Sequence, residues 1–75
     1  MYYVEIKASG GTMDEDEHYR FPSSSRSGAA STFWNYVDRL DDVIVSVNTE
    51  SDELFATGSH EDYTDRITIH MYWED

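Results

Sequence analysis

The 75-residue sequence has no cysteine, one proline and one lysine. Without cysteine it can form neither a disulfide framework nor a thiolate zinc site, which excludes the usual small secreted scaffolds. No apolar run approaches the length of a membrane span, which is about 18 residues, and the N-terminus lacks the basic and apolar regions of a signal peptide. We therefore expect a soluble, cytoplasmic protein with a single domain, since a chain of this length supports one core.

Positive charge is also scarce. Five Lys and Arg residues stand against 16 Asp and Glu residues, which gives a formal net charge of −11 at pH 7. Such a chain is a poor direct partner for nucleic acid or for an anionic membrane, because binding either one requires cations that neutralise phosphates. The charge instead favours a basic protein surface as the partner. The hydrophobic fraction of 39% still predicts a folded protein and not a disordered chain.

Residues alternate between two faces in three segments, "YYVEIKA", "VIVSV" and "RITIHMYW", and "LFATG", after the turn residues "NTESDE", is predicted to form a hairpin with "VIVSV". A period of two is typical of half-buried strands. A further strand is predicted between residues 15 and 21, after a reversal of the chain at Gly10 and Gly11. Pro22 keeps this strand out of a central position in a sheet, because proline has no N–H to donate to a neighbouring strand.

The stretch 27–40 repeats apolar residues at intervals of three and four, which predicts a helix that Ser25 or Ser27 can cap. The element order is then β-β-α-β-β-β. One helix on one face of a mostly antiparallel five-stranded sheet covers these apolar faces most simply, so the fold class is α+β. We expect the other sheet face to be polar and Trp34 and Trp73 to lie in the core by default, although Trp34 and Tyr36 flank the apolar stripe of the helix, so that at least one of them should lie at its margin. The predicted buried face of the helix consists of Ala29 or Ala30, Phe33, Val37 and Leu40.

No recognisable motif indicates catalysis or metal binding. Serines and histidines occur without a nucleophile elbow, and "SGGT" lacks the spacing and the lysine of a phosphate-binding loop. The segments "DEDEH" and "HEDYTD" combine carboxylates with histidine, but neither has the ligand pattern of a calcium loop or the histidine spacing of a zinc site. We predict no enzymatic activity, no cofactor and no metal.

Carboxylates fall in blocks at predicted turns and element ends, and some of them oppose folding. Asp38, Asp41 and Asp42 crowd the predicted C-terminus of the helix, where the macrodipole disfavours negative charge. In the run 14–17, carboxylates two residues apart share a strand face at about 7 Å and repel one another within the Debye length of about 8 Å. We infer that binding to a partner, and not folding, favours these carboxylates. They would form a negative strip on the surface, with Tyr3 lying among them. The predicted partner-binding residues are Asp14, Glu15, Asp16, Glu17, Tyr19, Asp52, Glu53, Glu61, Asp62, Tyr63 and Asp65.

In size, acidity and lack of a catalytic motif, the chain resembles the small phage-encoded inhibitors that mimic nucleic acid, including anti-CRISPR and anti-restriction proteins. The resemblance is one of overall character and carries over no functional residue. It implies a stoichiometric inhibitor that binds and blocks a basic nucleic-acid-binding protein or complex. Such an inhibitor acts in the cytoplasm of the host cell if it is phage-encoded.

Two alternatives stay open. Many carboxylates, a single lysine and abundant Ser and Thr also fit adaptation to a saline (halophilic) cytoplasm, in which acidity indicates no partner. That adaptation spreads carboxylates evenly, whereas a mimic concentrates them and leaves another face comparatively neutral. The other alternative is a module that forms a homodimer when strand one or strand five pairs edge to edge with a second copy.

Overall fold

A computed structural model describes residues 1–11 and 16–75, which form five strands and one helix in the predicted order β-β-α-β-β-β. Each predicted strand is present, and most extend by a residue or two beyond the predicted bounds. No helix in the described part of the chain is long and apolar enough to cross a membrane. The elements are β1 Tyr2–Ala8, β2 Glu17–Ser23, α1 Arg26–Val37, β3 Asp41–Asn48, β4 Glu53–Ser59 and β5 Ile67–Trp73.

The strands form one antiparallel sheet in the order β2-β1-β5-β4-β3. The expectation that strand one or strand five lies at an edge and pairs with a second copy is therefore wrong, because each is hydrogen-bonded on both sides. Val4, Ile6 and Ile69 on these two strands are buried, and a central position keeps such apolar side chains from water. Pro22 lies in the edge strand β2, in agreement with its lack of an N–H donor.

The helix α1 packs against one face of the sheet. Ser25 caps its N-terminus, since the Ser25 hydroxyl accepts a hydrogen bond from the Gly28 N–H at 3.1 Å. The helix ends at Val37, so Leu40 packs against the core from the turn that follows and not from the helix. The α+β class is thus confirmed. The buried core consists of Val4, Ile6, Ala8, Ala29, Phe33, Val37, Leu54, Ala56, Ile67, Ile69 and Met71.

The other face of the sheet, which we call the open face, carries polar and aromatic side chains, as predicted. The two tryptophans depart from the prediction, because Trp34 is 43% exposed and Trp73 is 51% exposed. Phe33 occupies the centre of the helix–sheet interface, and each helical residue is rotated by about 100° from the one before it. This rotation moves Trp34 onto the flank of the helix, where it meets Phe33 edge to face at 5.0 Å between ring centroids. Trp73 is the last residue of β5.

Candidate partner-binding surface

The antiparallel topology gathers carboxylates at one end of the sheet. β1 and β4 end there, β2, β3 and β5 begin there, and the C-terminus of α1 and the β4–β5 loop lie at the same end. Every carboxyl residue of this group is exposed except Glu17, which is half-buried. We call this end the acidic pole and define it by eight described residues: Asp16, Glu17, Asp38, Asp41, Asp42, Glu61, Asp62 and Asp65.

The acidic pole has about half the charge density of a nucleic acid. From Glu17 on β2 to Asp41 on β3 there are four inter-strand steps, and at about 4.8 Å a step they span about 19 Å. B-DNA carries one negative charge for about each 1.7 Å of its axis, hence about 11 charges over this length. The eight carboxylates of the pole, with Arg39 and Arg66 at the same end, leave about six net negative charges, which is about half of that number.

Backbone contacts tie the β1–β2 hairpin to the β4–β5 loop and so hold the two parts of the pole together. Gly11 and Tyr63 form an antiparallel bridge, and the Thr64 N–H donates to the Gly10 carbonyl at 2.9 Å. Gly10 has a φ of 72°, and a Cβ at this position would collide with the Thr64 side chain, so glycine is required. The Ser9 hydroxyl adds a hydrogen bond to Asp65 at 2.9 Å.

Tyr63 and Glu17 make the shortest polar contact at the pole. The Tyr63 hydroxyl donates to Glu17 Oε2 at 2.6 Å. This hydrogen bond, together with partial burial and the negative charge of Glu17, raises the pKa of Tyr63 to about 12. The shift has this sign because a phenolate would face the carboxylate at contact distance. Tyr63 is therefore a neutral donor at physiological pH, and it links the loop to β2 through side chains as well as through the backbone.

A cavity of about 260 Å³ opens next to this contact, between the end of α1 and the sheet. Its floor is apolar and its rim combines tyrosines with charged groups. Such a recess can bury the aliphatic stem of a long cationic side chain while the charged end meets carboxylates. The residues on its floor include Ile6, Ile67 and Ile69, and those on its rim include Glu17, Tyr19, Tyr36, Arg39 and Asp62.

Carboxylates outnumber cations at the pole and form no salt bridge with them. Arg39 and Arg66 lie at the same end, but the Arg39 guanidinium lies over the Tyr36 ring at 4.9 Å from its centroid, and Arg66 donates to the Asp42 carbonyl at 2.7 Å. Within residues 1–11 and 16–75, no Lys or Arg forms a salt bridge with a pole carboxylate, and the basic group nearest to one is His60, with Nδ1 3.6 Å from Asp62 Oδ2. At the opposite end, by contrast, the Arg20 guanidinium lies 2.8 Å from Glu74. The carboxylates of that end without such a contact are Glu50 and Asp75.

Asp52 and Glu53 lie at the opposite end, in the β3–β4 turn and at the start of β4. Strands of seven residues separate the two ends by about 20 Å, which is more than the Debye length of about 8 Å. Asp52 accepts hydrogen bonds from Arg26 at 2.7 Å and from Tyr2 at 3.0 Å, and the bond from Arg26 contributes most to lowering the pKa of Asp52. Glu53 lies 3.1 Å from His70 Nε2. Both carboxylates thus make internal contacts.

Cationic side chains gather on the open face. The Arg20 guanidinium stacks over the Tyr3 ring at 3.8 Å from its centroid. Glu5 lies 3.5 Å from Lys7 Nζ and 3.3 Å from His18 Nε2. Tyr3, which was expected to interleave with the acidic strip, therefore belongs to this face and not to the pole. The acidic and basic groups of the face balance: Glu5 and Glu53 against Lys7 and Arg20, with His18 and His70 in addition.

The structure thus divides the predicted partner-binding residues into three groups. Asp52 and Glu53 lie apart from the rest, while Asp14 and Glu15 lie outside the described residues. Asp38, Asp41 and Asp42 belong to the pole but were not predicted as partner-binding, although their position after the helix and before β3 is visible in the sequence. The predicted residues that lie together at the pole or at its cavity are Asp16, Glu17, Tyr19, Glu61, Asp62, Tyr63 and Asp65.

In the part of the chain that the structure describes, no three His, Asp or Glu side chains are grouped so as to hold a metal ion. The pole carboxylates belong to different strands, loops and the helix end, so they present a broad negative surface. Comparison of the chain with protein-family models, with curated proteins and with solved structures finds no match. Function is therefore inferred from the geometry and charge of the pole.

Proposed function

We propose that the protein binds a basic nucleic-acid-binding protein or complex through the acidic pole and blocks its nucleic-acid channel. The observation that carries this proposal is the concentration of eight described carboxylates at the pole, none of which forms a salt bridge with Lys or Arg, next to an open face whose charges balance. A cationic channel that binds phosphates attracts carboxylates by the same electrostatics, and complementary charge speeds association and orients the two partners. This is the role of the phage-encoded mimics that the chain resembles, and it places the protein in the cytoplasm.

The cavity at the pole supplies shape as well as charge. Arg and Lys residues line nucleic-acid channels because they neutralise phosphates. A cationic side chain that enters the cavity can lay its stem on Ile6 and Ile69 and pair its charge with Glu17 or Asp62. Tyr19, which is exposed, offers an aromatic face for cation–π contact at the rim, whereas Tyr36 already stacks on Phe21 and has the Arg39 guanidinium over its ring. The neutral Tyr63 hydroxyl keeps Glu17 in place for this pairing.

The uneven distribution of charge favours this function over adaptation to a saline cytoplasm. An adaptation of the whole surface to salt has no reason to leave the open face balanced. The two functions also differ in the salt that folding requires, which far-UV circular dichroism measures directly. We expect the native spectrum in dilute buffer, whereas a chain that folds only in molar salt would support the saline alternative.

Two matched double variants test the proposal. Asp16→Asn with Glu61→Gln removes two exposed pole carboxylates, and Glu50→Gln with Asp75→Asn removes two exposed carboxylates from the other end. The variants change net charge equally and make the same two kinds of substitution. Each protein is immobilised and exposed to cell lysate at low and at high salt, with and without added duplex DNA or RNA.

We expect the wild type and the Glu50, Asp75 control to retain the same nucleic-acid-binding proteins at low salt and to release them when nucleic acid is added. The pole variant should retain several-fold less. With the retained protein purified, the loss of affinity with rising salt should be less steep for the pole variant than for the wild type and the control. Equal capture by the two variants, or capture that nucleic acid does not compete with, would contradict the proposal.

A further inference from the structure

β3 is the least covered strand of the sheet. The helix packs against β5, β1 and β2 and reaches β4, but it makes no comparable contact with β3. Ile44 and Val47 are 63% and 60% exposed, the two highest values among the large apolar residues described. Val43 and Val45, on the helix side of β3, are only half-buried. An edge strand with four apolar residues in contact with water is a surface that another chain can cover.

The backbone of β3 also has unused hydrogen-bonding groups. β3 pairs with β4 on one side only, so alternate N–H and C=O groups along its other side have no strand partner. The second edge, β2, carries Pro22, which lacks a donor, and the charged side chain of Arg20. Proline, charge and bulges are the usual protections of an edge strand. β3 has such protection only at its start, where Asp41 and Asp42 lie at a register shift before Ile44, so the rest of β3 is the part of the two edges that is best suited to pairing.

Trp34 lies on the flank of the helix that is nearer to β3. Tyr36 stacks on Phe21 of β2 at 5.7 Å between ring centroids, which places Tyr36 on the β2 side of the helix. Residues two apart in a helix are rotated by about 200°, so Trp34 lies on the opposite flank, toward the β4–β3 side. Its ring is 43% exposed there.

We propose that two copies of the chain dimerise by pairing β3 with β3 of the second copy, antiparallel, about a two-fold axis through Val45. The result is a continuous ten-stranded sheet with both helices on one face. In this register Val43 faces Val47 of the second copy, Val45 faces its own equivalent, and Ile44 faces Ser46. An isologous pairing of this kind closes as a dimer and cannot extend into a fibre.

Side-chain chemistry selects this register. Residues opposite each other in an antiparallel pair point to the same face of the sheet. The other registers that keep both helices on one side therefore differ from this register by shifts of two residues. An axis through Ile44 would set Val47 against Asp41, and an axis through Ser46 would leave Val43 without an apolar partner. The axis through Val45 pairs all three helix-side valines with valines. Asp42, which has a φ of 51° and lies at the register shift between Asp41 and Ile44, is outside the regular part of this pairing.

The dimer is independent of the proposed function and responds to salt with the opposite sign. Two copies with a net charge of −11 each repel, and salt screens that repulsion. Rising salt should therefore strengthen the dimer, while it weakens binding of the pole to a cationic partner. Failure of one inference thus leaves the other unaffected.

Single-cysteine variants test the register directly, because the chain has no cysteine of its own. Opposite residues of an antiparallel pair have Cα atoms about 4.5–5.5 Å apart, which suits a disulfide. Val45→Cys places two thiols across the axis. Ser46→Cys is the matched control, since the Cα atoms of the two substituted residues would be about 8 Å apart in this register, beyond the limit of about 7 Å. Under mild oxidation we expect Val45→Cys to give a covalent dimer on a non-reducing gel and Ser46→Cys to stay monomeric.

Sedimentation velocity of the unmodified protein gives the second test, from micromolar to millimolar concentration in buffers of low and high salt. We expect a dimer that strengthens with salt. Val47→Lys, at an exposed position that tolerates the change, should weaken it about tenfold or more, while Trp73→Lys, also at an exposed apolar residue, should not. A monomer under every condition, or equal cross-linking of Val45→Cys and Ser46→Cys, would overturn the proposal.

Discussion

Removing the negative charge at the end of the helix should stabilise the protein. Asp38 is the C-cap residue of α1, with its N–H bonded to the Trp34 carbonyl at 3.0 Å, and no basic residue lies in the last turn of the helix. A carboxylate at this position faces the negative end of the helix dipole, which costs about 0.3–1 kcal/mol at low ionic strength. Asp38→Asn keeps the shape and hydrogen-bonding capacity of the side chain and removes only the charge.

A neighbouring carboxylate increases the expected gain. Asp41 is three residues beyond Asp38, hence no more than about 11 Å away. Two unit charges at that distance repel by about 0.4 kcal/mol in water before screening. We therefore expect Asp38→Asn to raise the free energy of unfolding by about 1 kcal/mol in dilute buffer, which corresponds to about 4–8 °C in Tm for a domain of this size.

Urea denaturation, followed by far-UV circular dichroism, measures this gain at two ionic strengths. The Debye length falls from about 30 Å at 0.01 M to about 3 Å at 1 M salt, so most of the gain should disappear at the higher concentration. Glu50→Gln, in the β3–β4 turn at the opposite end, is the control and should change stability little at either salt. The reasoning would be refuted by an equal gain at both salts, or by a gain of the same size in the control.

Two further predictions concern Tyr63 and the core. The raised pKa of Tyr63 means that its contribution to stability is complete below pH 10, the ordinary tyrosine pKa, and is lost as pH rises toward about 12. The pKa values of Tyr2 and Tyr72 are also raised, by the hydrogen bond to Asp52 and by burial respectively, so an ultraviolet titration of phenolate should show several late-titrating tyrosines. Tyr63→Phe should remove one of them and Glu17→Gln should move that one to lower pH; a late component of unchanged size in Tyr63→Phe would refute the assignment. Phe33→Ala should cost about 3–5 kcal/mol, because Phe33 is fully buried between helix and sheet. A chemical-denaturation loss below about 1 kcal/mol would show that the interface can collapse around the cavity.

The elements and their buried faces could be predicted from the sequence because each depends on local periodicity. Alternation identified Val4 and Ile6 as the buried side of β1, and Pro22 correctly indicated an edge strand. Strand order depends on pairing between segments that are far apart in the chain, and local periodicity in one sequence does not reveal that pairing. That is why the edges were misplaced, and why Asp52 was grouped with carboxylates that lie at the other end. Trp34 was misplaced for a related reason, since the helical pattern does not show how far the sheet extends beneath the helix.

The same topology explains why the protein tolerates its charge. The salt bridges of Arg20 and Arg26 hold carboxylates at the end remote from the pole, and Lys7 balances Glu5 on the open face. If these cations lay at the pole, they would neutralise the negative charge that attracts a cationic partner. Their present positions lower self-repulsion elsewhere and leave the pole unpaired. The repulsion that Asp38 contributes then lowers the stability of the fold, while the same charge supports binding to a cationic partner. Rising salt should therefore raise the free energy of unfolding and weaken binding.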